Sequence, residues 1–174
     1  MLKHSFRFFI VSFFIVGCTV TAPLVSSSKS EELSRLLQSL DKRISQNESR
    51  ELSKDIFYKT AQLTEEFEMT SPPQFHNFLV TVGVREKGLC YHWSDALYLY
   101  LLGKNYDAFE FHLVGANVGE YFSEHNALVI VAKGGKIEEG VVIDPWRNPG
   151  ELYFSKISDD PDYVWQHRPI RGCR

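Results

Sequence analysis

Lys87-Gly88-Leu89-Cys90-Tyr91-His92-Trp93-Ser94-Asp95-Ala96-Leu97-Tyr98-Leu99-Tyr100-Leu101-Leu102-Gly103 decides how the rest of the chain is read. Beyond the first glycine, apolar side chains recur at helical spacing: Leu89, Trp93, Ala96, Leu97, Tyr100 and Leu101. The spacing predicts a buried helix from about Leu89 to Leu102, with Gly103 as its stop. Cys90 falls in the first turn, where outward-pointing N–H groups and the helix dipole favour a thiolate and can hold an oxyanion. Gly88 lets the backbone turn sharply into the helix and leaves the approach to the sulfur open. A nucleophile so placed needs a base.

His125 precedes Asn126-Ala127-Leu128-Val129-Ile130-Val131-Ala132, an apolar, β-branched run that predicts a buried strand. Gly140-Val141-Val142-Ile143 predicts a second strand, ended by Asp144 and the turn Pro145-Trp146. Gly134-Gly135 lies between them, so the two strands are expected to pair antiparallel. That pairing brings His125, at the start of one, near Asp144, at the end of the other. Thiol, imidazole and carboxylate then form a nucleophile, base and orienter.

The remainder is organised around this core. At 174 residues the chain suits one domain, 31–174, and a net charge of −3 with no basic block argues against a nucleic-acid partner. Lys3 and Arg7 flank the short apolar run Phe8 to Val16, which ends in Ile15-Val16-Gly17-Cys18. This reads as a bacterial signal peptide over 1–17. Its last four residues resemble a lipobox, with Ile15 where leucine is usual, so Cys18 is the expected lipidation site. The membrane then becomes a partner through the Cys18 lipid, and residues 18–30 a flexible tether. Thr19 after the cysteine points to the cell envelope's outer membrane, facing the periplasm. Two helices are expected next, the first from Ser30 to about Gln46, the second from Asn47 to before Ser71-Pro72-Pro73. A short helix or turn follows over 74–82, in which His76 has a structural role. Ala108 to Val114 predicts a strand, Glu151 to Phe154 another, and Tyr163 to His167 a tail docking on the sheet. Asp159-Asp160-Pro161-Asp162 reads as a solvated turn, without the ligand pattern of a calcium loop. The order defines an α+β fold, with N-terminal helices (31–70) and a cysteine-bearing helix packed on a small antiparallel sheet.

The segment from Arg85 to Phe154 resembles the transglutaminase-like branch of the papain-like superfamily, in particular bacterial transglutaminase-like cysteine proteinases. The resemblance rests on Gly88-x-Cys90 opening a helix that contains Asp95-Ala96, on Leu101-Leu102-Gly103, on His125-Asn126-Ala127 and on Val142-Ile143-Asp144-Pro145. It implies a catalytic core over 85–154 with Cys90 as nucleophile, His125 as base and Asp144 orienting the imidazole, and no cofactor. The implied activity is cleavage of an amide in a protein or peptidoglycan peptide. The chain departs from the family at His92, where many relatives are acidic, and before Cys90, where no glutamine stands for the oxyanion hole. The oxyanion donors are then the Cys90 N–H and one unidentified group. Several alternatives stay open. His92 or His112 competes with His125 as base, Cys90, His92 and His125 offer zinc-type ligands, and Cys173 offers a disulfide partner for Cys90. The fold could equally serve as a non-catalytic binding or scaffold module, or catalyse transamidation. Trp93, Tyr121, Phe122 and Trp146 suit a substrate groove or a core.

Overall fold

The computed structural model describes residues 26–120 and 123–168. It is an α+β fold of four helices on a five-stranded antiparallel sheet. The helices are α1 (Ser27–Gln38), α2 (Gln46–Glu66), α3 (Pro73–Thr81) and α4 (Cys90–Leu102). The strands are β1 (Phe109–Ala116), β2 (His125–Ala132), β3 (Val141–Asn148), β4 (Glu151–Lys156) and β5 (Gln166–His167), in the spatial order β4-β3-β2-β1-β5.

β2 is the central strand and buried at every position, as its unbroken apolar run requires. Its even residues Leu128, Ile130 and Ala132 join Val141, Ile143 and Leu113 under the helices. Its odd residues Ala127, Val129 and Val131 join Val114 and Val142 on the other face, covered by Ile137, Tyr153, Ile157 and Trp165. The pairings Leu128↔Ile143 and Val129↔Val142 set the β2–β3 register. α4 lays Trp93, Leu97 and Leu101, all fully buried, on the sheet beside Leu33, Leu37, Leu52, Ile56 and Leu63 from α1 and α2. Full burial contributes about 1.5–3 kcal/mol for each such aliphatic side chain. Asp55 of α2 accepts from Tyr106 Oη at 2.8 Å, Tyr100 Oη at 3.2 Å and Lys104 Nζ at 3.2 Å, tying α2 to the end of α4.

Several boundaries differ from the sequence reading. The tether was expected to reach residue 30, but α1 begins at Ser27, and Ser30 pairs with Ser53 of α2 (Oγ–Oγ 3.1 Å). The first helix stops at Gln38 rather than about Gln46. Asp41 accepts from the backbone and guanidinium of Arg43, a local turn that competes with helix, while Ile44 stays buried beyond it. Ser45 then caps α2 by accepting from Glu48 N. Gly103 does end α4, but in a right-handed conformation; Asn105, at φ +55°, supplies the left-handed residue. Asp144 is not the end of its strand: β3 continues irregularly through Pro145 and Trp146 to Asn148, with a register shift against β4. The tail does dock, since β5 pairs with β1 through Val114↔His167 and Gly115↔Gln166. Among the described residues no helix is long and apolar enough to cross a membrane. The signal segment 1–17, Cys18, Tyr121, Phe122 and Cys173 lie outside the described residues.

Candidate active site

Cys90 is the first residue of α4, with Leu89 as N-cap. Leu89 has no side-chain acceptor to offer the helix start. His92 reaches back instead, its Nδ1 accepting from Gly88 N at 3.1 Å and Leu89 N at 3.2 Å. Trp93 Nε1 donates to the Gly88 carbonyl at 3.2 Å. From the other side fully buried His76 accepts from Thr70 N at 3.2 Å through Nδ1, and its Nε2 donates to the Lys87 carbonyl at 2.8 Å. Both backbone-facing patterns require an N–H on Nε2, the neutral tautomer, and burial lowers the pKa of both rings. These contacts fix the turn that presents the sulfur. His76 is thus structural, as the sequence suggested, and His92 is a helix-capping group rather than a rival base.

His125 opens β2 and points to the face opposite the helices, as does Asp144, whose neighbour Ile143 faces the helices. His125 Nε2 lies 2.7 Å from Asp144 Oδ2, with both side chains at most 3% exposed. The imidazole is also hydrogen-bonded to the Cys90 thiol. With Nε2 taken by Asp144, that bond falls to Nδ1. The three residues singled out in the sequence therefore meet in one chain of contacts, with Cys90 present as a buried thiol. His112 does not join them; its Nε2 lies 3.9 Å from a Glu110 carboxylate oxygen, and its ring stands against His167. Among the described residues no three histidine, cysteine or acidic side chains are grouped to hold a metal.

Several residues around the triad went unread in the sequence. Arg147, three after Asp144, donates from Nε to Asp144 Oδ2 at 3.0 Å and from its backbone N to Oδ1 at 3.3 Å. Its other nitrogens grip Asp160 (2.8 and 3.0 Å) and Asp162 (3.1 Å). The acidic turn read as solvated is thus half enclosed: the Asp160 side chain is fully buried and also accepts from Trp165 Nε1 at 2.8 Å. Against the pull of burial, Arg147 holds the Asp160 carboxyl below the usual carboxylate range. This clamp folds segment 160–165 over the imidazole. Tyr163, Trp146 and Trp165 pack on His125 with ring centroids at 4.6, 4.8 and 5.4 Å. Trp146 is anchored by donating to Asn77 Oδ1 of α3 at 3.1 Å. Trp93, for which the sequence left groove and core open, belongs to the core. Asn126, next to the base, aims Nδ2 at Cys90 Sγ, 3.7 Å away. An Asp-x-x-Arg spacing is the only sequence signal that could have disclosed Arg147.

Burial works to depress the His125 pKa. The charge and hydrogen bond of Asp144, with the bond to Cys90, outweigh it and raise the value from 6.5 to about 9. The folded state thus binds a proton more tightly than the unfolded chain. This contribution to stability is complete below pH 6.5 and is lost as pH rises through about 9, and is on the order of 3 kcal/mol. Urea unfolding between pH 6 and 9.5 is expected to show wild-type stability falling across this window, and His125→Gln lacking that fall. Parallel profiles for the two proteins would contradict the assignment.

No family model, curated protein or solved structure matches this chain. The fold class and the site geometry therefore carry the functional reading by themselves.

Proposed function

We propose that this chain is a cysteine hydrolase of the transglutaminase-like, papain-like type, cleaving an amide bond in a protein or peptidoglycan peptide. One observation carries the reading: a buried imidazole that is 2.7 Å from a carboxylate and hydrogen-bonded to a thiol at a helix N-terminus. With its pKa raised to about 9, His125 holds the Cys90 proton at neutral pH as an imidazolium stabilised by Asp144. The thiolate attacks the amide carbonyl, forming a C–S bond while the carbonyl π pair moves onto oxygen. The first-turn N–H of Cys90 steadies that oxyanion. Collapse breaks the C–N bond, and the imidazolium gives its proton to the leaving amine. Water, deprotonated by His125, then attacks the thioester and frees the acid and the thiol. Hydrolysis is preferred to transamidation because water is abundant and nothing marks a dedicated amine site. The lipobox-like Ile15-Val16-Gly17-Cys18 supports a lipid anchor at Cys18 and a periplasm-facing place on the outer membrane.

The alternative, a binding or scaffold module, has one observation in its favour. Cys90 is only 8% exposed and His125 only 2%, so little of the triad is open to a substrate. Alkylation by an iodoacetamide probe across pH separates the readings. In the proposed enzyme Cys90 reacts well below pH 8, and Cys90→Ala abolishes turnover of peptide or peptidoglycan fragments without changing the melting temperature. Turnover retained by Cys90→Ala overturns the thiol mechanism. A thiol inert at neutral pH, with no fragment cleaved, establishes the binding module.

A further inference from the structure

Asn126 follows the base in sequence but serves a different face of the sheet. Leu128, Ile130 and Ala132 point toward α4, and Asn126 shares their parity, while His125 shares that of Val129 and Val131. Strand alternation thus brings two consecutive side chains to one sulfur from opposite faces. Asn126 is 7% exposed, and its Nδ2 lies 3.7 Å from Cys90 Sγ.

The direction of this amide is set by chemistry as well as by shape. Its side chain is also hydrogen-bonded to Glu124, a group that as a carboxylate only accepts. The nitrogen end must therefore face Glu124, and a flipped amide would set oxygen against carboxylate. Glu124 is itself held by Gly119 N at 2.9 Å and by the Arg168 guanidinium. One N–H of Nδ2 goes to Glu124, leaving the second for the sulfur. Arg168, Glu124, Asn126 and Cys90 form a continuous polar chain, entering the site from the side opposite Asp144 and His125.

We propose that Asn126 is a further catalytic residue, whose side-chain N–H donates to the Cys90 sulfur and stabilises the thiolate that His125 generates. A thiol sulfur is a weak acceptor and a thiolate a strong one, so the bond strengthens as the nucleophile forms. The inference rests on the proposed thiol chemistry and adds a second polar partner to it. Among the described residues, the other titratable groups seen to interact with the charge on this sulfur are His125 on β2, His92 on α4 and Tyr163 on the segment crossing the site.

The pH dependence of Cys90 alkylation by iodoacetamide, in the full chain, tests this without a known substrate. Asn126→Ala is expected to move the alkylation midpoint up by about one pH unit, making labelling about tenfold slower below the midpoint. Asn126→Asp, nearly isosteric, should move it at least as far, because a carboxylate replaces the donor beside the sulfur. A purely structural asparagine would change the melting temperature and leave the midpoint in place. Unchanged midpoints in folded variants overturn the proposal while a reactive wild-type thiol keeps the enzyme reading. Should only one variant fold, its midpoint decides; failure of both to fold assigns Asn126 a structural role and overturns the proposal. A wild-type thiol that is inert at every pH overturns both.

Discussion

Asp144→Ala is expected to destabilise the domain by about 3–5 kcal/mol, the range for removing one partner of a buried ion pair. The magnitude follows from what the carboxylate holds. Oδ2 is shared by His125 Nε2 and Arg147 Nε, and Oδ1 accepts the Arg147 backbone N–H. Two cationic groups, each largely buried, lose their common anion in the variant. Arg147 keeps Asp160 and Asp162, so its part of the loss is buffered. Among the described residues His125 has no second carboxylate, and its titration, followed by NMR, should fall from about 9 to below the ordinary value of 6.5 as burial prevails. Asp144→Asn should be gentler on folding and equally severe on chemistry. Loss of the orienting carboxylate in a Ser-His-Asp triad lowers turnover by about 10⁴-fold, and a Cys-His-Asp site working the same way should respond similarly. Urea unfolding that places Asp144→Ala within 1 kcal/mol of wild type, with the histidine titration unmoved, would show that the carboxylate does not govern the imidazole.

Much of this site was legible because its residues sit at ends of elements that announce themselves. The run from Asn126 to Ala132 is too apolar for anything but a central strand, and the spacing from Leu89 to Leu101 has only one helical face to bury. Antiparallel pairing then fixes where His125 and Asp144 fall, with no knowledge of side-chain detail. Arg147 was hidden for a different reason. Its partners Asp160 and Asp162 lie thirteen and fifteen residues on, across β4 and a turn, and their pairing depends on where the chain returns in space. Without Arg147 the acidic turn has no reason to be anything but solvated. His92 was read only as a rival base or zinc-type ligand, which left its capping bonds to Gly88 and Leu89 unseen. Asn126 was equally opaque, since its role appears only once strand parity assigns it to the α4 face. Gln38 marks another limit: the leucine periodicity runs on to Ile44, and a two-residue side-chain turn at Asp41 was enough to stop the helix early.

The turn before Cys90 is the other place where one atom should have a large effect. Gly88 lies at φ +121°, a conformation in which an L side chain is strained. A Cβ there would sit 2.1 Å from His76 Nε2 and 2.5 Å from Cδ2, far inside contact distance. The ring cannot yield cheaply, because Nδ1 accepts from Thr70 N and Nε2 donates to the Lys87 carbonyl. Gly88→Ala therefore combines backbone strain with an overlap against a bonded ring, for an expected loss of about 2–6 kcal/mol in urea unfolding. The two parts separate in a double-mutant cycle. His76→Ala removes the ring but leaves φ as it was, so Gly88→Ala should be less damaging in that background by about 1–3 kcal/mol. Since Lys87 and Gly88 lead directly into the α4 N-terminus, the same substitution should slow Cys90 alkylation even where the protein remains folded. Additive effects of the two substitutions would mean that His76 does not fix this turn. Coupled effects with unchanged alkylation would separate the turn from the nucleophile, leaving the Cys90 sulfur to be positioned by α4, His125 and Asn126 alone.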